Sequence, residues 1–499
     1  MPKIDVPARA LTRLLGETLD PHILEERLVV AKGELDGIAD DGALLKIELN
    51  DTNRPDLWST AGLARQLRLG RGDAMPQWRF ETAPVSEERS IVVDASVKDV
   101  RPYVMGFRAY GKKIDDDTLR DLIQTQEKLC WNYGQKRKAI AMGIYRSSLI
   151  RWPVQYTTRP GSFSFFPLGG EGPMSLDRII ADPPKGQEFG HIAADAPAKP
   201  MLLDHDGKVL SFPPIINSAE IGAVEIGDDD LFVEVTGTAL EPLRLTCNIV
   251  ACDLEELGFT IEPVKAMYPD TVGGGVEVTA PARFQQAVRA DISSVNTLLG
   301  VNWSGEQMAA AARRMGPEVR VSPDAKELVA EPAIYRNDYL HPVDLAEDVM
   351  MGAGMEAFEP QLPEDFTVGR LTPLEEASRQ VRRILPGLGY QEMIFGYLGS
   401  ADSYITRMRP DPEQESAMDR DIVRIDNPMS ESYEFVRNSS LPSLLHSEAS
   451  SGHAAYPHRM FEIGKVARLD PNDPSGSRTW TTVGLSVGDS TADFNELSS

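Results

Sequence analysis

Apolar residues in this chain come in short packets broken by proline and glycine, and no packet approaches the roughly 20 consecutive apolar residues of a membrane helix. With 36 prolines and 40 glycines in 499 residues, the chain is restricted to many short elements separated by turns, and no membrane partner is expected. At roughly 150 residues per domain the length predicts about three domains, each able to bury its own core. The opening stretch MPKIDVPARALTRLLGETLD contains acidic residues and no uninterrupted apolar core before a small-residue cleavage site. No secretory signal is read there, and a cytoplasmic location is the expectation.

Helical spacing in VPARALTRLLG and good helix formers from Ala61 to Leu69, ending at Gly70, organise the first 80 or so residues. The stretch GRGDAMPQWRFETAPVSEERS reads as a linker. From Ile91 to about Pro263 runs a mixed region, with alternating strands such as SIVVDASV and YVMGFRAYG and a helix at TLRDLIQTQEKLCWNYG. A composition shift at GGGVEVTAP precedes two helical patterns, ARFQQAVRADISSVNTLLG and SGEQMAAAARRMG, and a short strand ELVAEPA, which together predict a small helical unit. Beyond the hinge EPQLPEDFTVG come the helix LTPLEEASRQVRRILPGLG and the strands IVRIDN, RMFEIGKVARL and TWTTVGLSVG. The fold class is therefore a multidomain α+β chain.

Charge narrows the partners. Lys and Arg total 51 against 76 Asp and Glu, a net charge of -25, which is a poor footprint for holding nucleic acid unaided. Any RNA would need a partner protein or a local basic strip, and one such strip is QKRKAIAMGIYR at 135–146, which also reads as a solvated helix end running into a strand. The three cysteines, Cys130, Cys247 and Cys252, suit a reducing compartment and exclude a disulfide framework. Cys247 and Cys252 lack two further ligands at zinc spacing and read as half-buried thiols on a helix. No GxxxxGK[ST], HExxH, GxSxG or EF-hand loop occurs, so the chemistries those motifs carry have no local support.

Two constellations carry chemistry. In YRNDYLHPVDLAEDVMMGAG, Asp344, Glu347 and Asp348 fall at i, i+3 and i+4 on one helix face with Asp338 upstream. Four carboxylates could face one hard cation such as Mg²⁺. The competing reading is an acidic first turn after Pro342, favoured by the helix dipole. In VLSFPPIINSAEIGAVEIGDDDLFVEVTGTAL, Glu234 and Thr236 alternate onto one side of a predicted strand, and Asn217 and Ser218 follow an apolar PPII run. Such a pair positions a water or reads a phenolic hydroxyl, or else forms the polar outward face of an antiparallel strand.

Nine words in order carry a resemblance: NRPDLWSTAGLARQL, QEKLCWNYGQKRKAIAMGIY, FFPLGG, PKGQEFG, LSFPPIINS, FVEVTGT, YRNDYLHPVDLAEDVMMGAG, NPMSESYEFVRNSSLPSLL and YPHRMFEIGKV. The chain resembles the β subunit of phenylalanyl-tRNA synthetase of the archaeal and eukaryotic type, from its first residues to its last. The resemblance implies an α₂β₂ class II ligase using ATP and Mg²⁺ to attach phenylalanine to tRNA(Phe), with the synthetic site on the α subunit. It implies a B1-like domain at 1–85, a B3/B4 editing domain at 90–265, a B5 domain of DNA-binding-like fold at 275–355 and an incomplete, inactive class II catalytic-like antiparallel-sheet domain at 365–499.

On this resemblance, Asp338, Asp344, Glu347 and Asp348 match the family's magnesium set, described as shared with the α subunit. Leu202, Ser211, Glu234 and Thr236 match its editing pocket, with Leu203 a rival for the first. Two positions depart: Arg146 and Glu234 stand where the family usually has Asp. The longer Glu234 arm leaves open a scaffold-only β-like protein, and a free-standing tRNA-binding or trans-editing protein is the further alternative. Arg459 and Glu462 keep the shape of a class II ATP-contacting motif without implying ATP chemistry here. The family continues past the point where ADFNELSS ends this chain, so a truncation with an unpaired sheet edge is expected.

Overall fold

The computed structural model describes residues 2–272, 274–363 and 365–489. It divides into two compact units, Met1–Pro360 and Gln361–Ser499. No helix among the described residues is long and apolar enough to cross a membrane.

The first unit opens with three strands, β1 (Lys3–Pro7), β2 (Gly33–Ala39) and β3 (Leu44–Leu49), in the order β1-β3-β2, and the helix Thr60–Gly70. Ser59 starts that helix, its hydroxyl accepting from Gly62 N at 2.9 Å. Ten strands then form the main sheet: β4 (Ser90–Val93), β5 (Tyr103–Tyr110), β6 (Ile140–Arg146), β7 (Val154–Arg159), β8 (Lys199–Leu203), β9 (Val209–Phe212), β10 (Ile216–Asn217), β11 (Asp230–Gly237), β12 (Thr260–Met267) and β13 (Glu277–Ala280). They run β10-β9-β8-β7-β4-β12-β5-β11-β6, with β13 added to β12. Only the pairs of β4 with β7 and with β12 are parallel. The two ends of this order meet: Arg146 N of β6 donates to Ile221 O at 3.2 Å, just beyond β10. The sheet therefore curls far enough to bring its two ends together at a seam, with residues 166–168 lying along the outer side of β10.

The core is continuous across the expected break at residues 70–90. Trp78 and Phe80 of the supposed linker are 6 % and 2 % exposed and stack on each other, while Trp78 stands edge-on to Tyr335. Two large aromatics bury too much apolar surface to lie in a solvated linker. The helix Leu240–Glu256 packs on the sheet and is tied to the N-terminal layer by Ser59 Oγ, which donates to Asp253 Oδ2 at 2.6 Å, and by Arg65, which donates to Asp253 Oδ1 at 3.0 Å. Cys247 and Cys252 lie on this helix fully buried rather than half-buried, and burial pushes both thiols up.

The small helical unit also contains a sheet. Val288–Asp291, Glu318–Val321 and Glu327–Glu331 make three antiparallel strands against the helices Ile292–Leu299, Gly305–Arg313 and Pro342–Ala353. ARFQQAVRAD is not helical, because Asp291 caps the helix from its own position, accepting from Ser294 N at 2.7 Å, and the preceding residues pair with Glu327–Glu331. In the second unit the helix Pro373–Gly387 precedes a long hairpin, His458–Leu469 with Ser477–Gly488, and IVRIDN is a strand only at Val423–Arg424. Arg437 and Glu462 form a buried ion pair at 2.8 Å behind the hairpin. The stretch ADFNELSS, with its expected sheet edge, lies outside the described residues.

Candidate active site

The seam of the main sheet builds the site. Phe232, Glu234 and Thr236 share one face of β11, as period-two alternation requires, but that face is buried instead of polar and solvated: Glu234 is 2 % exposed. Burial raises the Glu234 carboxyl to about 7, against the pull of the Tyr145 hydroxyl, the Arg101 charge and Thr236. Arg101 donates from Nε to Thr236 Oγ1 at 3.0 Å, which fixes the threonine beside the acid.

Tyr145, on β6 next to β11, places its hydroxyl 2.6 Å from Glu234 Oε2 and 2.8 Å from Ser211 Oγ on β9. A phenol has one proton, so when it donates to the carboxylate, Ser211 donates to the phenol. The result is a relay, Ser211 to Tyr145 to Glu234, that crosses the seam between strands at opposite ends of the sheet. Gly143 makes room for it, since a Cβ there would overlap Tyr145 Oη and lie 2.6 Å from Glu234 Oε2. A cavity of about 290 Å³ opens onto this relay, lined by Gly143, Tyr145, Ser211, Asn217 and Glu234 among others. That is the lower end of small-molecule sites and suits one amino-acid side chain.

Of the residues expected here, Ser211 and Glu234 line the cavity together. Leu202 pairs with Ser211 across β8 and β9 and is fully buried in the apolar core. Leu203 points into a different apolar cluster. Thr236 supports Glu234 from behind. Tyr145 was missed by sequence reasoning, because alternation shows which face a residue takes and not which distant strand closes over it. Arg146 is explained by its surroundings: its guanidinium lies 2.8 Å from Glu225 and 3.0 Å from Asp228, where an aspartate would meet two like charges.

The acidic helix does not gather its four carboxylates. Asp344 accepts from Leu340 N at 2.7 Å and His341 N at 2.6 Å, closing the start of Pro342–Ala353 as a capping box. Glu347 pairs with Lys32. Asp338 and Asp348 both hold the buried Arg336, which donates to Asp338 Oδ1 at 2.9 Å and Asp348 Oδ2 at 2.7 Å. Although burial pushes Asp338 up, Arg336 holds it at about 2. Among the described residues no group of three or more His, Cys, Asp or Glu converges to hold a metal ion. Within this chain by itself, Asp338, Asp344, Glu347 and Asp348 do not converge on one point but are held apart by a guanidinium, a lysine and backbone amides.

Residues 288–355 match the family model described as the tRNA synthetase B5 domain, and residues 359–497 match the phenylalanyl tRNA synthetase beta chain CLM domain. A phenylalanine–tRNA ligase beta subunit of Borrelia recurrentis (strain A1) is 41 % identical over 502 residues, spanning 100 % of this chain and 88 % of the relative. That of Borreliella burgdorferi (strain ZS7) is 41 % identical over 503 residues, spanning 100 % and 87 %. The crystal structure of an N-terminal fragment of the phenylalanyl-tRNA synthetase beta subunit from Pyrococcus horikoshii superposes with a TM-score of 0.66 at 32 % identity, covering 70 % of this chain and 99 % of that one. With full-length identity at this level and both domain models matched, the chain belongs to the family of phenylalanine–tRNA ligase beta subunits, components of an aminoacyl-tRNA synthetase.

Proposed function

We propose that the chain works in the cytoplasm as the β half of an α₂β₂ enzyme whose α subunit attaches phenylalanine to tRNA(Phe) with ATP and Mg²⁺, and that its own chemistry is hydrolysis of Tyr-tRNA(Phe). We assign residues 1–85 to a B1-like layer, 90–265 to the editing fold, 275–355 to B5 and 365–499 to the catalytic-like scaffold. The observation that carries the hydrolytic reading is a buried carboxyl, Glu234, raised to about 7 at the floor of a cavity the size of one side chain. A buried acid raised by desolvation and facing a cleft is a functional-site candidate on physical grounds.

The chemistry asks little of the chain. Water adds to the ester carbonyl, the acyl carbon–oxygen bond breaks, and the ribose oxygen leaves with a proton, giving tyrosine and free tRNA. The pocket's work is selection. A site that merely excludes or admits an extra hydroxyl discriminates by on the order of 10²-fold, whereas a site built to hydrogen-bond that hydroxyl rejects its absence far more strongly. Glu234 has acceptor capacity left after Tyr145, and a tyrosyl phenol donating to it completes the floor that a phenylalanyl ring leaves unpaired.

The contact of Tyr145 with Glu234 also favours a second reading, in which the chain's own phenol permanently fills the acceptor and the protein is a scaffold without editing. Incubating the assembled enzyme with preformed Tyr-tRNA and Phe-tRNA separates the two. Faster clearance of the tyrosyl ester is the expected result, and equal, uncatalysed rates would assign the chain to scaffolding alone.

A further inference from the structure

A second cavity, of about 350 Å³, adjoins the Glu234 pocket, and Glu127, Arg137 and Lys185 line both. On its wall stands Trp131, 45 % exposed and edge-on to Phe189 with ring centroids 6.4 Å apart. Cations surround these rings: Lys136 Nζ lies 5.3 Å from the Trp131 centroid, the Arg137 guanidinium 4.1 Å from the Phe189 centroid and Lys185 Nζ 5.5 Å from it. With Lys128, four basic groups here face two acidic ones, Glu127 and Glu188, in a chain whose net charge is -25.

The backbone holds this arrangement at a cost. Gln135, Lys136 and Arg137 have consecutive φ values of 52°, 55° and 67°, a left-handed run without a glycine. Before it, Gly134 N bonds to Leu129 O and Lys136 N to Trp131 O, two widened turns of the kind found at functional sites. Arg137 then ties the loop to the pocket wall, donating to Pro214 O at 2.9 Å and Ile215 O at 3.0 Å.

We infer that this shelf seats the unpaired 3′-terminal nucleotides of the aminoacylated RNA, with a base stacked on Trp131 and phosphates beside Lys136 and Lys185. The inference rests on the hydrolytic reading above: a cavity that holds one side chain leaves the RNA outside, on the surface that shares its rim. Exposed aromatics interleaved with cations are how proteins hold single strands, each stacked base tolerating any sequence. The basic strip at 135–146 thus has a task that the overall charge conceals.

The test measures hydrolysis of Tyr-tRNA and of tyrosine methyl ester, which carries no RNA, by the assembled enzyme. Trp131→Ala is expected to raise KM for Tyr-tRNA about tenfold or more with the maximal rate held, and Trp131→Phe to restore most of it. Lys136→Ala should flatten the salt dependence of KM by about 0.7 in logarithmic slope. Unchanged KM in both Trp131→Ala and Lys136→Ala, in an enzyme that hydrolyses Tyr-tRNA, would overturn the shelf and leave the pocket standing. A wild type that hydrolyses neither ester would remove the hydrolytic reading and this inference with it. Loss of subunit assembly in Trp131→Ala with KM unchanged would assign the surface to a protein contact instead.

Discussion

At the scale of single residues, the site depends on the absence of one side chain. Gly143→Ala puts a methyl into the Tyr145–Glu234 contact, and overpacking of this kind costs about 1–3 kcal/mol. The variant is expected to melt lower and to lose Tyr-tRNA clearance, read by thermal unfolding and deacylation. Glu234 itself is a stability liability at neutral pH. Its carboxyl is raised to about 7 in the folded state from near 4.3 unfolded, so the folded chain binds the extra proton and stability falls as pH rises between those values, by roughly 4 kcal/mol in all. Glu234→Gln should therefore gain stability over wild type at about pH 8 and little at about pH 5 in denaturant titrations. Glu234, Thr236 and Ser211 were legible in the sequence through alternation and family resemblance. Tyr145 was not, since its partners lie 66 and 89 residues away in the chain and meet it only when the sheet curls.

At the scale of elements, Pro342–Ala353 shows how one sequence pattern supports two accounts. Acidic residues at i, i+3 and i+4 describe a cation site and a well-capped helix equally well, and spacing cannot reveal that Arg336, two residues before Asp338, turns onto both Asp338 and Asp348 or that Lys32 arrives from elsewhere. Removing Arg336 leaves Asp338 and Asp348 buried and unpaired, so Arg336→Met should cost about 3–5 kcal/mol of unfolding free energy. Asp344→Ala, which loses a capping box, should cost about 1 kcal/mol. The isolated chain should melt at the same temperature with Mg²⁺ and with a chelator; a rise with Mg²⁺ would mean that the cation displaces Arg336. The element least legible was 70–90, where a polar, proline-bearing surface pattern hides Trp78 and Phe80, whose partner Tyr335 is more than 200 residues away.

At the scale of the whole molecule, the succession of helical and strand-bearing segments was legible because each has its own periodicity, but the continuity of the core was not. One apolar cluster joins residues as far apart in the chain as Ile4 and Tyr335, so the N-terminal layer and the main sheet stabilise each other, and a cut near residue 85 should expose Trp78 and Leu63 and lower solubility. The proposed division of labour assigns synthesis to the α subunit. The purified chain should give no phenylalanine-dependent exchange of pyrophosphate into ATP until the α subunit is added; exchange by the chain alone would contradict that division.

The central claim is that an ionised, buried Glu234 selects and clears the tyrosyl ester. Deacylation of preformed Tyr-tRNA by the assembled enzyme, with Phe-tRNA as reference, measured from about pH 5.5 to about pH 8.5 for wild type and Glu234→Gln, tests it most directly. The account predicts a tyrosine-specific rate that rises through an inflection near pH 7 in the wild type, and in Glu234→Gln a rate on the order of 10-fold to 100-fold slower without that inflection. A wild-type profile that matches Glu234→Gln at every pH would contradict it.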